Sequence, residues 1–214
     1  MPMLNSPVID LALPHPRDGA VTGIATLGPA GTSSEASAHQ LGNYLTASWC
    51  DNPKASVGFD VRLFGEYELA AQSVLEGSST LMIIANAYHG ASTFYMDPHL
   101  AFAGAYCMDT PLYGVATKTG CLPAGSISIA SHPAPIPLVN ELLHGNTEAA
   151  EIVRYPSTAA AAAAAAAGAV DAALTTAPAA SRYGLAFATR TRTIRMLWSV
   201  FARAQTFTPL LSDQ

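Results

Sequence analysis

Leu27-Gly28-Pro29-Ala30-Gly31-Thr32-Ser33-Ser34-Glu35 decides how the rest of this chain is read. The stretch follows an apolar, β-prone run from Val21 to Leu27. It precedes a pattern in which Ala36, Ala38, Leu41 and Leu45 recur at helical spacing. Strand, tight glycine turn and helix start follow from that order. The glycines let backbone approach a ligand closely, and Thr32 or Ser33 can cap the helix. The amides of the first helical turn carry the positive end of the helix dipole, so a small carboxylate or phosphate can bind there without a lysine. The same residues also describe an ordinary capped turn with no ligand.

Working outward, 214 residues can bury one substantial core or two small lobes. Half the chain is hydrophobic and 12% is charged, a balance of folded proteins and not of disordered ones. A net charge of -5 argues against a nucleic-acid surface, which needs clustered Lys and Arg. The single basic cluster is Arg190, Arg192 and Arg195. Cys50, Cys107 and Cys121 show neither paired nor metal-ligand spacing, which predicts no disulfide framework, no metal site and a reducing cytoplasm. No apolar run approaches a membrane span, and no signal peptide is recognised.

Met1 to Ala20 reads as a loose, proline-bearing tail. Beyond the first helix, Asn52–Val57 is expected to turn, Gly58–Phe64 to form a strand and Glu66–Leu75 a helix closed by Gly77. Thr80–Ala85 is a continuous apolar run typical of a buried strand, and it ends in Asn86-Ala87-Tyr88-His89-Gly90. Strands are expected over 100–106, 112–117, 126–130, 152–155, 171–174, 186–189 and 193–202. Ser131 is expected to cap a helix from Pro135 to His144, Ser157-Thr158 the alanine run to Ala167, and Pro178–Tyr183 to be helical. This alternation implies an α/β fold with a largely parallel sheet. Residues 21–100 with 184–214 form the expected first lobe and 101–183 the second, crossing near Ala91–Ala101 and returning near Tyr183–Ala186, with a ligand cleft where the capped turns meet.

Four elements place hydroxyls and amides at strand ends or helix starts: Gly31-Thr32-Ser33-Ser34, Ser131-His132-Pro133, Ser157-Thr158 and Thr175-Thr176. Together they suit a small polyanionic organic ligand better than a nucleotide, since neither G-x-G-x-x-G nor a P-loop lysine is present. Each taken singly also reads as helix capping. His89 and His132 are the two histidines at strand ends, and each is a candidate proton donor. His15, His39, His99 and His144 read as surface residues. Tyr88, Tyr95 and Tyr113 fit either core aromatics with a wet hydroxyl or the wall of an apolar pocket.

Ile24 to Ala36, Ser131-His132-Pro133, Ser157-Thr158 and Ala179-Ala180-Ser181-Arg182-Tyr183-Gly184-Leu185 resemble, in this order, the motifs of prephenate dehydratases. The resemblance spans Val21 to Arg203. It implies a two-lobed fold like that of type 2 periplasmic binding proteins. Ser199-Val200-Phe201 stands where the dehydratases carry Thr-Arg-Phe, and Ala85-Asn86-Ala87-Tyr88-His89-Gly90 replaces their Glu-Asn-Ser segment. The ACT domain that usually follows is not expected. Phe94-Tyr95-Met96-Asp97-Pro98, Asp109 to Gly114, Ser131 to Ile136 and Trp198 to Phe201 resemble more closely the non-aromatizing prephenate decarboxylases of antibiotic pathways such as bacilysin's.

That branch implies loss of CO2 from prephenate with the ring hydroxyl retained, giving a dihydro-4-hydroxyphenylpyruvate, with no cofactor and no metal. An acid must deliver hydrogen to a ring carbon while the hydroxyl is offered none. His89 or Tyr88 is expected to be that acid, with His132 behind them. Gly31, Thr32, Ser33, Ser34, Asn86, Thr110, Tyr113, Ser131, Thr175 and Ser199 are the expected substrate contacts. An aromatizing dehydratase and a non-catalytic module binding a small acid are the alternatives. A homodimer is expected from the resemblance and from the frequency of twofold symmetry.

Overall fold

A computed structural model describes residues 21–49, 58–143 and 147–206. The expected tail to Ala20, the turn at Asn52–Val57, and Cys50, His15 and His144 lie outside them. The chain divides into two compact units: residues 1–27, 37–108 and 196–214 form the first, and 28–36 with 109–195 the second. In this division the chain passes between units at Leu27/Gly28, Ala36/Ser37, Met108/Asp109 and Arg195/Met196.

The first unit holds β1 (Val21–Leu27), most of α1 (Ser33–Trp49), β2 (Gly58–Phe64), α2 (Tyr67–Leu75), β3 (Leu81–Ala85), α3 (Ala91–Met96), β4 (Leu100–Asp109) and, from the far end of the chain, β10 (Arg195–Arg203). Its sheet runs β2-β1-β3-β10-β4. β1 pairs in parallel with β2, Val21 opposite Gly58 and Leu27 opposite Phe64, and also with β3. β10 lies antiparallel to β3, Trp198 opposite Ala85 and Ala202 opposite Leu81.

Period-two alternation sorts the sheet's side chains onto two faces. Ile24, Leu81, Ile83, Trp198 and Val200 pack with Ala38, Leu41 and Leu45 of α1. Ala25, Met82, Ile84 and Phe201 pack with Tyr67, Ala70 and Val74 of α2 and Phe94 of α3. Burial on both faces is why Thr80–Ala85 is apolar without alternation. Ser199, between Trp198 and Val200, points to the face of Phe201 and is fully buried.

The second unit has β5 (Tyr113–Thr117), β6 (Gly125–Ser131), α4 (Leu138–Leu142), β7 (Thr147–Arg154), α5 (Thr158–Ala167), β8 (Ala172–Thr176), α6 (Ala177–Arg182) and β9 (Ala186–Phe187). Its sheet runs β7-β6-β8-β5-β9. β6 is parallel to β7 and β8, whereas β5 is antiparallel to β8 and β9. Ile127, Ile129, Leu174 and Val115 face α4 with Val139 and Leu142. Ala116, Ala130 and Ala173 face the other way, against Ala159, Ala161, Ala162 and Ala165 of α5. Ser157 caps α5 by accepting the Ala160 amide at 3.0 Å, and Gly168 closes it in the left-handed conformation.

The expected largely parallel sheet is replaced by two mixed ones. A strand joined to its neighbour by a helix must cross over and return parallel, but β10 and β5 are not joined to β3 and β8 in that way and pair antiparallel. The helix expected from Pro135 to His144 is reduced to five residues, because Pro133, Pro135 and Pro137 supply no amides to a helical ladder. β7 begins at Thr147, ahead of the strand expected from Ile152.

Candidate functional site

The glycine turn folds as its residues dictate, and much of its hydrogen-bonding capacity is used within the chain. Gly31 has φ +93, a conformation that strains side-chain-bearing residues, and a Cβ there would lie 3.3 Å from the Ala179 Cα. Thr32 is the cap, its hydroxyl oxygen accepting the Glu35 amide at 3.3 Å. The Glu35 carboxylate reaches back to accept the Gly31 amide at 2.6 Å, much as in a capping box. The Gly31 amide, expected to meet a ligand, is therefore held by the protein's own carboxylate. Thr176 donates to the Gly31 carbonyl at 2.8 Å, tying the turn to the end of β8.

Other hydroxyls of the second unit are placed as follows. The Ser33 and Tyr113 hydroxyls are 3.1 Å apart. Burial raises the Tyr113 phenol above its usual pKa, against a smaller lowering by Ser33, so it remains protonated at neutral pH. Thr110 accepts the Ile194 amide at 3.0 Å, and Thr175 donates to the Thr158 carbonyl at 2.8 Å. Ser131 does not cap a helix: its hydroxyl donates to the His132 carbonyl at 2.8 Å. His132 accepts the Ala134 amide on Nδ1 at 3.2 Å, and burial lowers its pKa. Ser34 is buried beside Ser33 at the helix start. Arg190 and Arg192 both reach Glu141, Arg192 at 2.6 Å, and Arg195 lies 3.5 Å from Asp109. The basic cluster read from the sequence is thus engaged with acids.

In the first unit the polar residues gather past the carboxyl end of β3, where open α/β sheets hold ligands. Tyr88 donates to Glu68 at 2.7 Å, and that bond, with burial and the charges of Glu68 and Glu66, pushes its pKa up to about 12. Its ring lies 4.9 Å from that of Tyr67 and 4.6 Å from His89. Gly90 makes room for it, since a Cβ there would come within 2.6 Å of Tyr88 Cε1. His89 is exposed.

Asn86 and Ser199 are joined by a third residue that the sequence reading left outside the substrate contacts. Ser199 donates to Asn86 Oδ1 at 2.7 Å, Asn86 Nδ2 donates to the Tyr95 hydroxyl at 3.2 Å, and the Tyr95 and Ser199 oxygens are 2.5 Å apart. With the serine proton given to Asn86, the phenol proton must close the ring toward Ser199. Tyr95 is positioned edge-on to Phe201, ring centroids 5.0 Å apart, and 5.6 Å from Phe102. The sequence signals for it are the reading of Tyr95 as a core aromatic or pocket wall and the Phe94-Tyr95-Met96-Asp97-Pro98 motif that resembles the decarboxylases, in a stretch also expected to cross between lobes.

Among the described residues no group of His, Cys, Asp and Glu could hold a metal ion, and no helix is long and apolar enough to cross a membrane.

No protein-family model matches the chain. It is 33% identical over 186 residues to the prephenate decarboxylase of Bacillus subtilis, covering 85% of this chain and 87% of that one. Among solved structures it resembles the prephenate dehydratase of Arthrobacter aurescens in complex with L-Phe, with a TM-score of 0.56 and 14% identity over 90% of this chain and 63% of that one. It likewise resembles a novel type of quorum-quenching acylase, TM-score 0.57 and 18% identity, covering 89% of this chain and 66% of that one. The periplasmic VFT2 domain of Bordetella pertussis BvgS follows at 0.50 and 15%, covering 86% of this chain and 81% of that one. These structures share the fold, two-lobed and periplasmic-binding-protein-like, with this chain; the chain spans about two thirds of the dehydratase and acylase.

Proposed function

We propose, since this chain belongs to the prephenate decarboxylase family, that it releases the ring carboxylate of prephenate as CO2 and retains the ring hydroxyl. The product is a dihydro-4-hydroxyphenylpyruvate. The observation that carries the reading is 33% identity extending over most of both chains. The same similarity does not favour the dehydratase or non-catalytic alternatives.

The chemistry balances without a cofactor. The bond between the quaternary ring carbon and its carboxylate breaks, its electron pair enters the diene, and a proton from an acid makes one new C–H bond. His89 is the acid in this reading: its ring is exposed beside Tyr88, whereas the Tyr88 proton is held by Glu68. His132 is the second candidate and the weaker donor, since burial lowers its pKa and favours the neutral ring. The pyruvyl carboxylate is assigned to the start of α1, where Ser33, Ser34 and the Tyr113 hydroxyl combine with the helix dipole. Thr32, Gly31, Thr110, Ser131 and Thr175 shape this region through the bonds they make within the protein. Loss of charge as carboxylate becomes CO2 is favoured by a poorly hydrated surrounding. A homodimer in the cytoplasm, supplying an antibiotic pathway, is the setting proposed for the reaction.

Incubating the purified protein with prephenate tests this directly. CO2 release with a product whose ring protons remain olefinic by NMR is expected; phenylpyruvate, or binding without consumption, overturns it.

A further inference from the structure

Decarboxylation without aromatization depends on what is withheld from the ring hydroxyl. Expulsion of that oxygen needs a donor aimed at it. Ser199, Asn86 and Tyr95 form a closed cycle in which each hydroxyl proton already has an acceptor: serine to Asn86, phenol to serine, and an amide hydrogen back to the phenol. Ser199 has no solvent exposure, while Tyr95 is 40% exposed, so an approaching ligand meets the phenol oxygen and not the serine. That oxygen has spent its proton and can only accept. The cycle is neutral, a match for an alcohol rather than a carboxylate. An alcohol docked on it must donate its own proton, which leaves its oxygen without the hydrogen bond that would help it depart.

We propose that Tyr95 is a specificity-determining residue, its phenol proton turned inward to Ser199 because Asn86 takes the serine's own, so that the substrate's ring hydroxyl is held as a donor and survives decarboxylation. The inference rests on the proposed decarboxylase reading. When the lock is open, the Tyr95 phenol donates to the ring oxygen. The C–O bond then breaks with its electron pair on oxygen, the phenol proton converts that oxygen to water, the electrons of the carboxylate bond complete the aromatic ring, and a proton from solvent restores the phenol. The products are phenylpyruvate, CO2 and water.

The test is the ratio of aromatic to non-aromatic product from prephenate. Ser199→Ala removes the acceptor of the Tyr95 proton and leaves that proton free to point outward. Phenylpyruvate is expected to rise at least about tenfold above the parent, and by no more than the roughly 10²–10³ that one well-placed donor contributes. Asn86→Ala opens the same cycle elsewhere and is expected to do the same. The double variant Tyr95→Phe with Ser199→Ala is expected to return to non-aromatic product, a reversal that a merely structural role for Tyr95 would not produce. An unchanged ratio in both opened variants overturns the proposal. So does phenylpyruvate that persists in the double variant, or loss of all CO2 release from folded Tyr95→Phe. If the parent protein itself forms phenylpyruvate, the decarboxylase reading fails first, and the two failures are thereby told apart.

Discussion

Ser37 and Tyr106 meet in the core of the first unit, and their hydroxyls make a prediction whose sign depends on which one is removed. The phenol donates to the Ser37 carbonyl at 2.9 Å, and the two hydroxyl oxygens are 2.7 Å apart, so the serine donates to the phenol oxygen. Both residues are fully buried. Tyr106→Phe strands the serine hydroxyl in an apolar surrounding, at about 1–3 kcal/mol. Ser37→Ala leaves the phenol its carbonyl acceptor and forfeits a single bond, about 0.5–1.5 kcal/mol. In the Tyr106→Phe background there is no bond left to lose and a stranded hydroxyl to remove. Ser37→Ala is therefore expected to be neutral or stabilising there, a coupling of roughly 1 kcal/mol. Urea midpoints for the parent, both single variants and the double variant measure it, given unchanged slopes. Equal cost for Ser37→Ala in both backgrounds would refute the reasoning.

The remaining predictions concern pH, the turn and the acid. Burial raises the Tyr106 pKa above its usual 10.0, so its contribution to stability is complete below pH 10 and is lost as pH rises beyond. Denaturation followed from pH 9 to 11 should show a shallower alkaline loss in Tyr106→Phe. Half-buried His132 has its pKa lowered by burial, so the unfolded chain takes up that proton first and stability falls as pH drops below the usual 6.5; His132→Gln should flatten this acid limb in the same assay. Gly31→Ala must hold φ +93 against Ala179, which should cost about 1–2 kcal/mol in urea titrations and weaken prephenate binding by calorimetry. His89→Ala should lower CO2 release by roughly 10²–10⁴ while Tyr88→Phe retains most of it, measured by steady-state kinetics; full turnover in His89→Ala would remove His89 as the acid.

Elements whose order comes from local chemistry were legible in the chain. Two faces of burial wrote β3 as an unbroken apolar run. Ser157 and Gly168 punctuated α5 at both ends. Turn, cap and helix followed from Gly31, Thr32 and the apolar spacing of α1. Strand direction was not legible, because it depends on which distant segment arrives next to β3 or β8. Nor was the use of each hydroxyl: Ser131, Thr175 and Thr176 look alike in sequence as caps that accept an amide, yet each donates to a carbonyl, two of them far along the chain. Glu35 was visible as a first-turn acid, but its return to the Gly31 amide needs the bend of the turn. Tyr95 was legible as a core aromatic or a pocket wall but not as a partner of Asn86 and Ser199, because α3 is six residues long, too short for a period to declare itself.

Alanine helix α5 lies against a sheet face that is itself alanine, Ala116, Ala130 and Ala173. Where alanine meets alanine there are no rotamers to rearrange, so clearance at those contacts is set by the backbones, with Val153, Tyr155, Leu185 and Phe187 filling the margins of the same cluster. Evolutionary drift there is fenced on both sides, as any added methylene collides and any glycine loosens the helix. Low complexity at Ala159–Ala167 is thus the imprint of a short distance between helix and sheet, written in the residue that fits it.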